Sequence, residues 1–455
     1  MQAVLSIVQK INFYLSDYIL VILLVGTGIF FSIKTRFVQV RCFGEGMRSV
    51  FGKISLHGGK QESGLSSFQA LATAVAAQVG TGNIIGASGA ILTGGPGAIF
   101  WMWIIAFFGM ATIYSEAVLA QETKTVKADG TVHGGPVYYI NKAFPNGFGK
   151  FLAGFFAVAI TLALGFMGSM VQSNSIGETF SNALGIPTWV IGIAVTVIAG
   201  LIFLGGIQRI AFVTEKLVPV MAVLYILGGF AVLIMRIRFI PETFGMIFKY
   251  AFEPNAIIGG SLGYALKTAI SQGVKRGLFS NEAGSGSAPC AAAAAECDDP
   301  VKMGFVQALG VLIDTVVICS CTAFLMLLVP QEITEGLAGM DLLQTALQYH
   351  LGGFGVVFIA ATLALFSFST FLGVLYYARG NVAYLCGDNW WSQTVYKLIA
   401  LVMLVIGGMQ AYTVVWDLGD VGIGLMTIFN MIALVPMAKE ALAALNDYEK
   451  RKKLQ

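Results

Sequence analysis

Apolar runs of about 20 residues recur along the whole of this chain, and each is long enough to cross a bilayer as a helix. In hydrocarbon every backbone N–H and C=O must be satisfied inside the structure, which leaves only helices and closed β-barrels. A barrel would be written in short alternating strands, and these runs do not alternate. The chain has 455 residues, 57% of them hydrophobic and 11% charged, whereas a soluble domain carries roughly 25% charged residues. The sequence therefore specifies an all-α polytopic membrane protein. About eleven spans are expected, near 17–34, 67–92, 97–119, 151–174, 187–205, 215–235, 258–295, 303–329, 353–378, 395–412 and 418–438.

Basic residues set the expected orientation by the positive-inside rule. Lys34, Arg36, Arg41, Arg48, Lys53 and Lys60 follow span 1, and Lys124, Lys127, Lys142 and Lys150 follow span 3. Arg209, Lys302, Arg379 and the tail residues Lys450 to Lys453 fall on the same side. The opposite loops QEITEGLAGMDLL and GETFSNALGIP contain neither Lys nor Arg; Arg236, Arg238 and Lys249 are exceptions. This places the N-terminus outside and the C-terminus inside the cell membrane. The first residues, MQAVLSIVQKINFYLSDYIL, read as a short extramembrane helix leading into span 1 rather than as a cleaved signal peptide. The stretch RIRFIPETFGMIFKYAFEPN reads as an amphipathic surface helix. Trp101, Trp103, Trp390 and Trp391 lie near span ends and suit interfacial anchoring. Six scattered cysteines without a CxxC pair argue against a disulfide framework, and a net charge of +3 gives no reason to expect a nucleic-acid partner.

Two spans carry features a plain membrane helix avoids. Span 2 contains AAQVGTGNIIGASGAILTGGPG, residues 76–97. Each Gly in a helix costs about 1 kcal/mol relative to Ala, and a buried amide needs a partner. Span 7 is too long for one crossing and contains GLFSNEAGSGSAP, residues 277–289. The two interruptions lie five spans apart. With span 1 set aside, spans 2–6 and 7–11 form two halves, and an odd number of spans per half turns them in opposite directions. Paired Gly-rich breaks at matching positions of an inverted repeat mark a transporter binding site. The expected divisions are 1–66, 67–235, 236–257, 258–438 and 439–455.

A break frees N–H groups on one half-helix and C=O groups on the other. The N–H ends suit a carboxylate, and the carbonyl ends suit Na⁺ or an ammonium group. One unwound site thus accommodates a zwitterion and a cation. Span 9, ATLALFSFSTFLGVLYY, offers Ser369 and Thr370 as hydroxyl ligands beside the carbonyls of span 2. Span 4, GFMGSMVQSN, offers Phe166, Met167 and Gln172 as walls. Simpler readings stand beside these. Gly82 and Gly86 form GxxxG, which also permits close helix packing. Ser and Thr in membrane helices often bond back to their own carbonyls. NEAGSGS also reads as a cytoplasmic loop, with Glu282 pairing with Lys275 or Arg276. Glu116, near the inner end of span 3, reads as structural, snorkelling or pairing with a loop cation. The span 2 glycines are not a nucleotide loop, because no strand precedes them. No HExxH motif, paired carboxylates or Ser/His arrangement suggests an enzyme. A channel would favour symmetric pore-lining helices over paired single breaks.

QVGTGNIIG, YSEAVLAQ at the end of span 3 and RGLFSNEAGSGSAP resemble the alanine or glycine:cation symporter family of the amino acid–polyamine–cation superfamily. The resemblance covers essentially the whole chain. It implies a LeuT-like five-plus-five inverted repeat with an extra N-terminal helix, and uptake of small neutral amino acids with Na⁺, or sometimes H⁺. It implies that Gly80, Thr81, Gly82 and Asn83 hold the substrate carboxylate, and that Phe279, Ser280 and Asn281 face the same ligand. It assigns the cation to Gln78, Val79, Ser369 and Thr370. Lys267 and Lys275 keep proton coupling open, and a larger substrate such as glutamine is a further alternative. The expected partners are the amino acid, Na⁺ or H⁺ and the bilayer, without a cofactor beyond the transported ion.

Overall fold

A computed structural model describes residues 2–51, 78–126, 132–205, 207–253, 262–334, 336–337 and 339–454. Apart from the antiparallel pair Thr125–Val126 and Val132–His133, every regular element among them is helical. Eight helices among the described residues are long and apolar enough to cross a membrane: Ser6–Lys34, Gly97–Thr123, Gly147–Leu184, Phe212–Met235, Pro300–Leu327, Gly353–Cys386, Trp390–Gly407 and Tyr412–Leu434. They supply spans 1, 3, 4, 6, 8, 9, 10 and 11. Span 5 is the shorter apolar helix Thr188–Phe203. Span 7 is split into Leu262–Asn281 and Ala288–Ala294. The first part of span 2, with Lys53 and Lys60 before it, lies outside the described residues, as do Lys127 and the start of span 7.

Several boundaries differ from the expected ones for identifiable reasons. The N-terminal segment is not a separate helix, because it runs into span 1 through a widened turn at Leu15–Ile19. No Gly or Pro interrupts the chain there. Span 4 starts at Gly147, where the Asn146 side chain accepts the Gly149 N–H. It continues through GETFSNAL until Gly185, which takes a left-handed conformation at φ 69°. Within that last stretch Asn182 has protein partners, donating to Asp341 at 2.6 Å and to Gln344 at 2.9 Å. Span 9 likewise extends to Cys386.

The basic segments gather at one end of the molecule. The C-terminal helix Ala438–Leu454 brings Glu449 to Arg36 and Arg41, and Arg451 to Asp299 at 2.7 Å. Lys142 meets Glu440 at 2.5 Å. At the other end, the expected amphipathic helix forms at Ile240–Phe252 and lies against the start of span 3, where Trp101 donates to the Ala251 carbonyl at 3.1 Å. Trp103 also has a protein partner, Ser320, at 2.7 Å. Trp390 and Trp391 are exposed and remain as candidates for anchoring. Small residues let the central spans close up, as at Gly273, where a methyl group would lie 2.5 Å from the Ala98 carbonyl.

Among the described residues, widened, π-type helical turns occur at four places: Leu15–Ile19, Gly82–Gly86, Thr161–Gly168 and Leu312–Cys319. Such turns concentrate at functional sites because they re-aim side chains and loosen the backbone ladder. The last three converge on the two interrupted spans.

Candidate functional site

The two breaks meet directly. In span 2 the backbone bends at Val79 and Gly80 and re-enters a helix at Thr81. In span 7 the helix runs through Asn281, and the irregular segment is 282–287, shorter than expected. Its turns use positive φ at Glu282 (57°), Gly284 (91°) and Gly286 (84°). A methyl group at Gly82 would sit 3.0 Å from both the Phe279 carbonyl oxygen and the Ser280 Cα. A Cβ there would push these backbone atoms back by a few tenths of an ångström, so glycine suits this approach of backbone to backbone. Gly80 is equally constrained, because a methyl group there would collide with the Thr370 hydroxyl.

A small cavity opens between these elements. Its walls are Gln78, Gly80, Thr81 and Gly82 of span 2, Ala163, Leu164, Gly168 and Gln172 of span 4, and Phe279 and Glu282 of span 7. Thr370 and Val374 of span 9 and Gly419 and Ile423 of span 11 complete it. Thr81 donates to Gln172 at 3.0 Å, tying span 2 to span 4. Phe279 packs on Trp416 with ring centroids 4.7 Å apart, forming an aromatic wall. Thr370 donates to the Val79 carbonyl at 3.4 Å, so a span 9 hydroxyl and a span 2 carbonyl converge beside the break.

The remaining predicted residues lie around the cavity rather than in its lining. Asn83 accepts the Gly80 N–H at 2.7 Å and donates to Asp314 at 2.6 Å. Ser280 donates to the same Asp314 at 2.7 Å, and Asn281 donates to Thr315 at 3.0 Å. Phe166 turns toward Tyr396, 6.1 Å between centroids. The Met167 sulfur faces Gly422. Ser369 donates to the Phe366 carbonyl at 2.8 Å and to the Met221 sulfur at 3.1 Å. Gln78, which does line the cavity, also donates to Gln307 at 3.4 Å.

Two buried carboxylates hold the breaks in place, Asp314, which the sequence reading missed, and Glu116. Asp314, from the widened turn of span 8, is fully buried and takes hydrogen bonds from Asn83, Ser280 and Thr315. It thereby links both breaks to a third helix. Glu116 is neither snorkelling nor paired with a loop cation, because it lies completely buried. Its oxygens accept the backbone N–H groups of Gly284 (2.9 Å) and Gly286 (3.1 Å) and the amide of Asn430 (2.5 Å). Asn430 in turn donates to the Gly284 carbonyl and accepts from Tyr139. The Gly284 and Gly286 N–H groups of the second break are thus satisfied by an internal carboxylate.

Glu282 does not pair with Lys275 or Arg276. Both basic residues meet Asp420 of span 11, at 2.7 and 3.2 Å, and Arg276 lies over the Trp416 ring at 5.2 Å. Asp420 reaches them from span 11, whereas Glu282 sits beyond the end of their helix at a left-handed backbone position. Lys267 sits over the rings of Phe13 and Tyr18, away from the cavity.

The sequence pattern of the sodium:alanine symporter family matches residues 1–455. The chain is 38% identical to "Sodium/alanine symporter AgcS" of Methanococcus maripaludis over 94% of each chain. It is 41% identical to "Probable sodium/glutamine symporter GlnT" of Bacillus subtilis, over 100% of this chain and 92% of that one. Among solved structures it superposes on MhsT with a TM-score of 0.56 at 16% identity, covering 83% of this chain and 90% of that chain. That likeness shows the LeuT-like fold; the eight apolar helices among the described residues, with the family match, make the chain a multi-pass membrane protein. Matched over its full length, the chain belongs to the sodium:alanine symporter family.

Proposed function

We propose that this protein imports a small neutral amino acid, alanine or glycine foremost, by symport with Na⁺. The observation that carries this reading is the meeting of two broken helices around one small cavity, with a carbonyl and a hydroxyl converging at its edge. The zwitterion lies along the Gly80–Gly82 backbone, with Thr81 and Gln172 on its polar side. Phe279 and the small wall residues Ala163, Gly168 and Gly419 limit its side chain. Na⁺ is held by the Val79 carbonyl and the Thr370 hydroxyl, with Gln78 alongside. Ser369 would join through its oxygen lone pairs, which its donation to the Phe366 carbonyl leaves free. Asn83, Ser280 and Asn281 shape the breaks by bracing them against span 8. Coupling follows because both ligands use the same unwound backbone, so each stabilises the arrangement the other needs, and that effect is reciprocal.

In the same reading the N-terminus is outside and the C-terminus inside, with the ion-paired basic face toward the cytoplasm. Uptake of labelled alanine and glycine into proteoliposomes, with Na⁺ and pH gradients imposed separately, tests the proposal. Accumulation driven by an inward Na⁺ gradient alone is expected. Accumulation under a proton gradient alone would replace Na⁺ by H⁺. A glutamine-named relative at 41% identity makes glutamine the second candidate substrate. Stronger competition by glutamine than by glycine would favour it.

A further inference from the structure

Among the described residues, three buried carboxylates without an ion-pair partner lie close to the two breaks, and they differ in how well they are satisfied. Glu116 takes three hydrogen bonds, two of them from backbone N–H groups. Asp314 takes bonds from Asn83, Ser280 and Thr315. Glu282 takes one among the described residues, from Ser287 at 2.5 Å. An ionised carboxylate offers about four acceptor sites, so Glu282 has unused capacity. No ion pair among the described residues reaches it, because Lys275 and Arg276 are both engaged by Asp420.

Glu282 is also the one of the three that lines the cavity, which it shares with Gln78, Gly80 and Thr370. It is 5% exposed. Its backbone adopts φ 57°, a conformation that costs a side-chain-bearing residue energy and that glycine takes freely. Strain of this kind persists where the surrounding structure imposes it, often at functional sites. Here the residue lines the cavity beside the break in span 2, its carboxylate held by Ser287, while the basic residues earlier in its own helix are taken by Asp420.

Charge balance supplies the rest. A zwitterionic amino acid is neutral, and Na⁺ adds one positive charge. Enclosing that charge with neutral oxygens alone leaves a net charge in a low-dielectric interior, which is costly. One carboxylate at the cavity makes the loaded site neutral. We propose that Glu282 supplies the negative charge of the cation site and is a direct ligand of the co-transported Na⁺, together with the Thr370 hydroxyl and the Val79 carbonyl. This deepens the Na⁺-symport reading above and rests on it.

The test is Glu282→Gln, which keeps the shape and removes the charge. The Na⁺ half-saturation of alanine binding in detergent, and of uptake in proteoliposomes, is expected to rise roughly 10-fold or more, as for loss of a charged partner. Alanine binding at saturating Na⁺ is expected to persist, a split that a general packing defect would not produce. Glu282→Asp, which retains the charge one methylene short, is expected to bind Na⁺ with intermediate affinity and altered selectivity against Li⁺. If the glutamine variant does not fold, the aspartate variant carries the test through that selectivity. A Na⁺ half-saturation within about twofold of wild type in Glu282→Gln would overturn the assignment, since coupled neighbours normally show more. So would unchanged Na⁺ affinity and selectivity in Glu282→Asp. Failure of the wild-type protein to accumulate alanine under a Na⁺ gradient would instead overturn the parent reading.

Discussion

Gly82 is the residue on which the meeting of the two breaks most depends. Its missing Cβ leaves room for the Phe279 carbonyl and the Ser280 Cα, both backbone atoms that cannot rotate away. Gly82→Ala is therefore expected to force the spans apart at a cost of about 1–3 kcal/mol, the usual range for overpacking. Thermal unfolding in detergent would register that cost as a lowered midpoint, and alanine uptake should fall far more than the stability does. Thr370 belongs to the same contact. Removing its hydroxyl in Thr370→Ala takes one oxygen from beside the Val79 carbonyl. The Na⁺ half-saturation should rise several-fold, by the worth of about one hydrogen bond, while alanine binding at high Na⁺ is largely kept. Isothermal titration at several Na⁺ concentrations separates the two effects, and an unchanged Na⁺ dependence would remove Thr370 from the cation site. Residues of this kind are legible in sequence, since glycines and hydroxyls inside an apolar run have no cheap explanation. Asp314 is not legible in the same way. It is one acid in LIDTVV, and its partner Asn83 is 231 positions away. The misassigned partner of Glu282 has the same cause: Lys275 and Arg276 are near in sequence, whereas Asp420 approaches from a different span.

At the scale of elements, the span 7 break is a short irregular segment between two helices, and Glu116 is what fixes its course. Backbone N–H groups freed by unwinding must find acceptors when buried. Gly284 and Gly286 find them in the two oxygens of one carboxylate on span 3. Glu116→Gln retains the size but replaces one oxygen by an NH₂ group, which then faces an N–H donor. Hydrogen bonds to charged groups contribute about 1.5–3 kcal/mol, so a clear fall in the unfolding midpoint is expected. Hydrogen exchange should rise at residues 284–286 before it rises in the flanking helices. A variant with wild-type stability and wild-type exchange would show that the break holds its course unaided. The existence of both breaks was written in Gly-rich stretches, but their edges were not. Phe279, Ser280 and Asn281 remain helical and present their side chains in different directions, one to the cavity and two to span 8. The widened turns in spans 4 and 8 left no compositional trace either, because a π-type turn needs no special residue. They are visible only once neighbouring helices are in place.

At the scale of the whole molecule, the ion pairs that join the C-terminal helix to the segment after span 1 assemble the basic end of the protein. Burial raises Glu45, but the hydrogen bonds from Lys452 and Tyr448 outweigh it and hold the carboxyl below its ordinary value of 4.5. A carboxyl lowered in the folded state stabilises above its unfolded value and loses that contribution as the pH falls through the lower folded value. Acidification below 4.5 should therefore loosen the C-terminal helix from Glu45, with proteolysis of the tail as the readout, and Glu45→Gln should flatten that pH dependence. The same end of the molecule decides orientation. Cys386 closes span 9 and is exposed, whereas Cys42, Cys319 and Cys321 are buried and Cys290 and Cys297 half-buried. Cys386 lies beyond Arg379, which pairs with Asp388 at 3.4 Å, on the side where the basic segments gather. If that side faces the cytoplasm, a membrane-impermeant maleimide added to intact cells should leave Cys386 unmodified. Permeabilised cells should show it modified first, with the buried thiols following only on unfolding. A Cys386→Ser variant identifies the labelled position. Modification of Cys386 from outside would invert the whole arrangement, since eleven alternating spans fix every loop once the side of one is known.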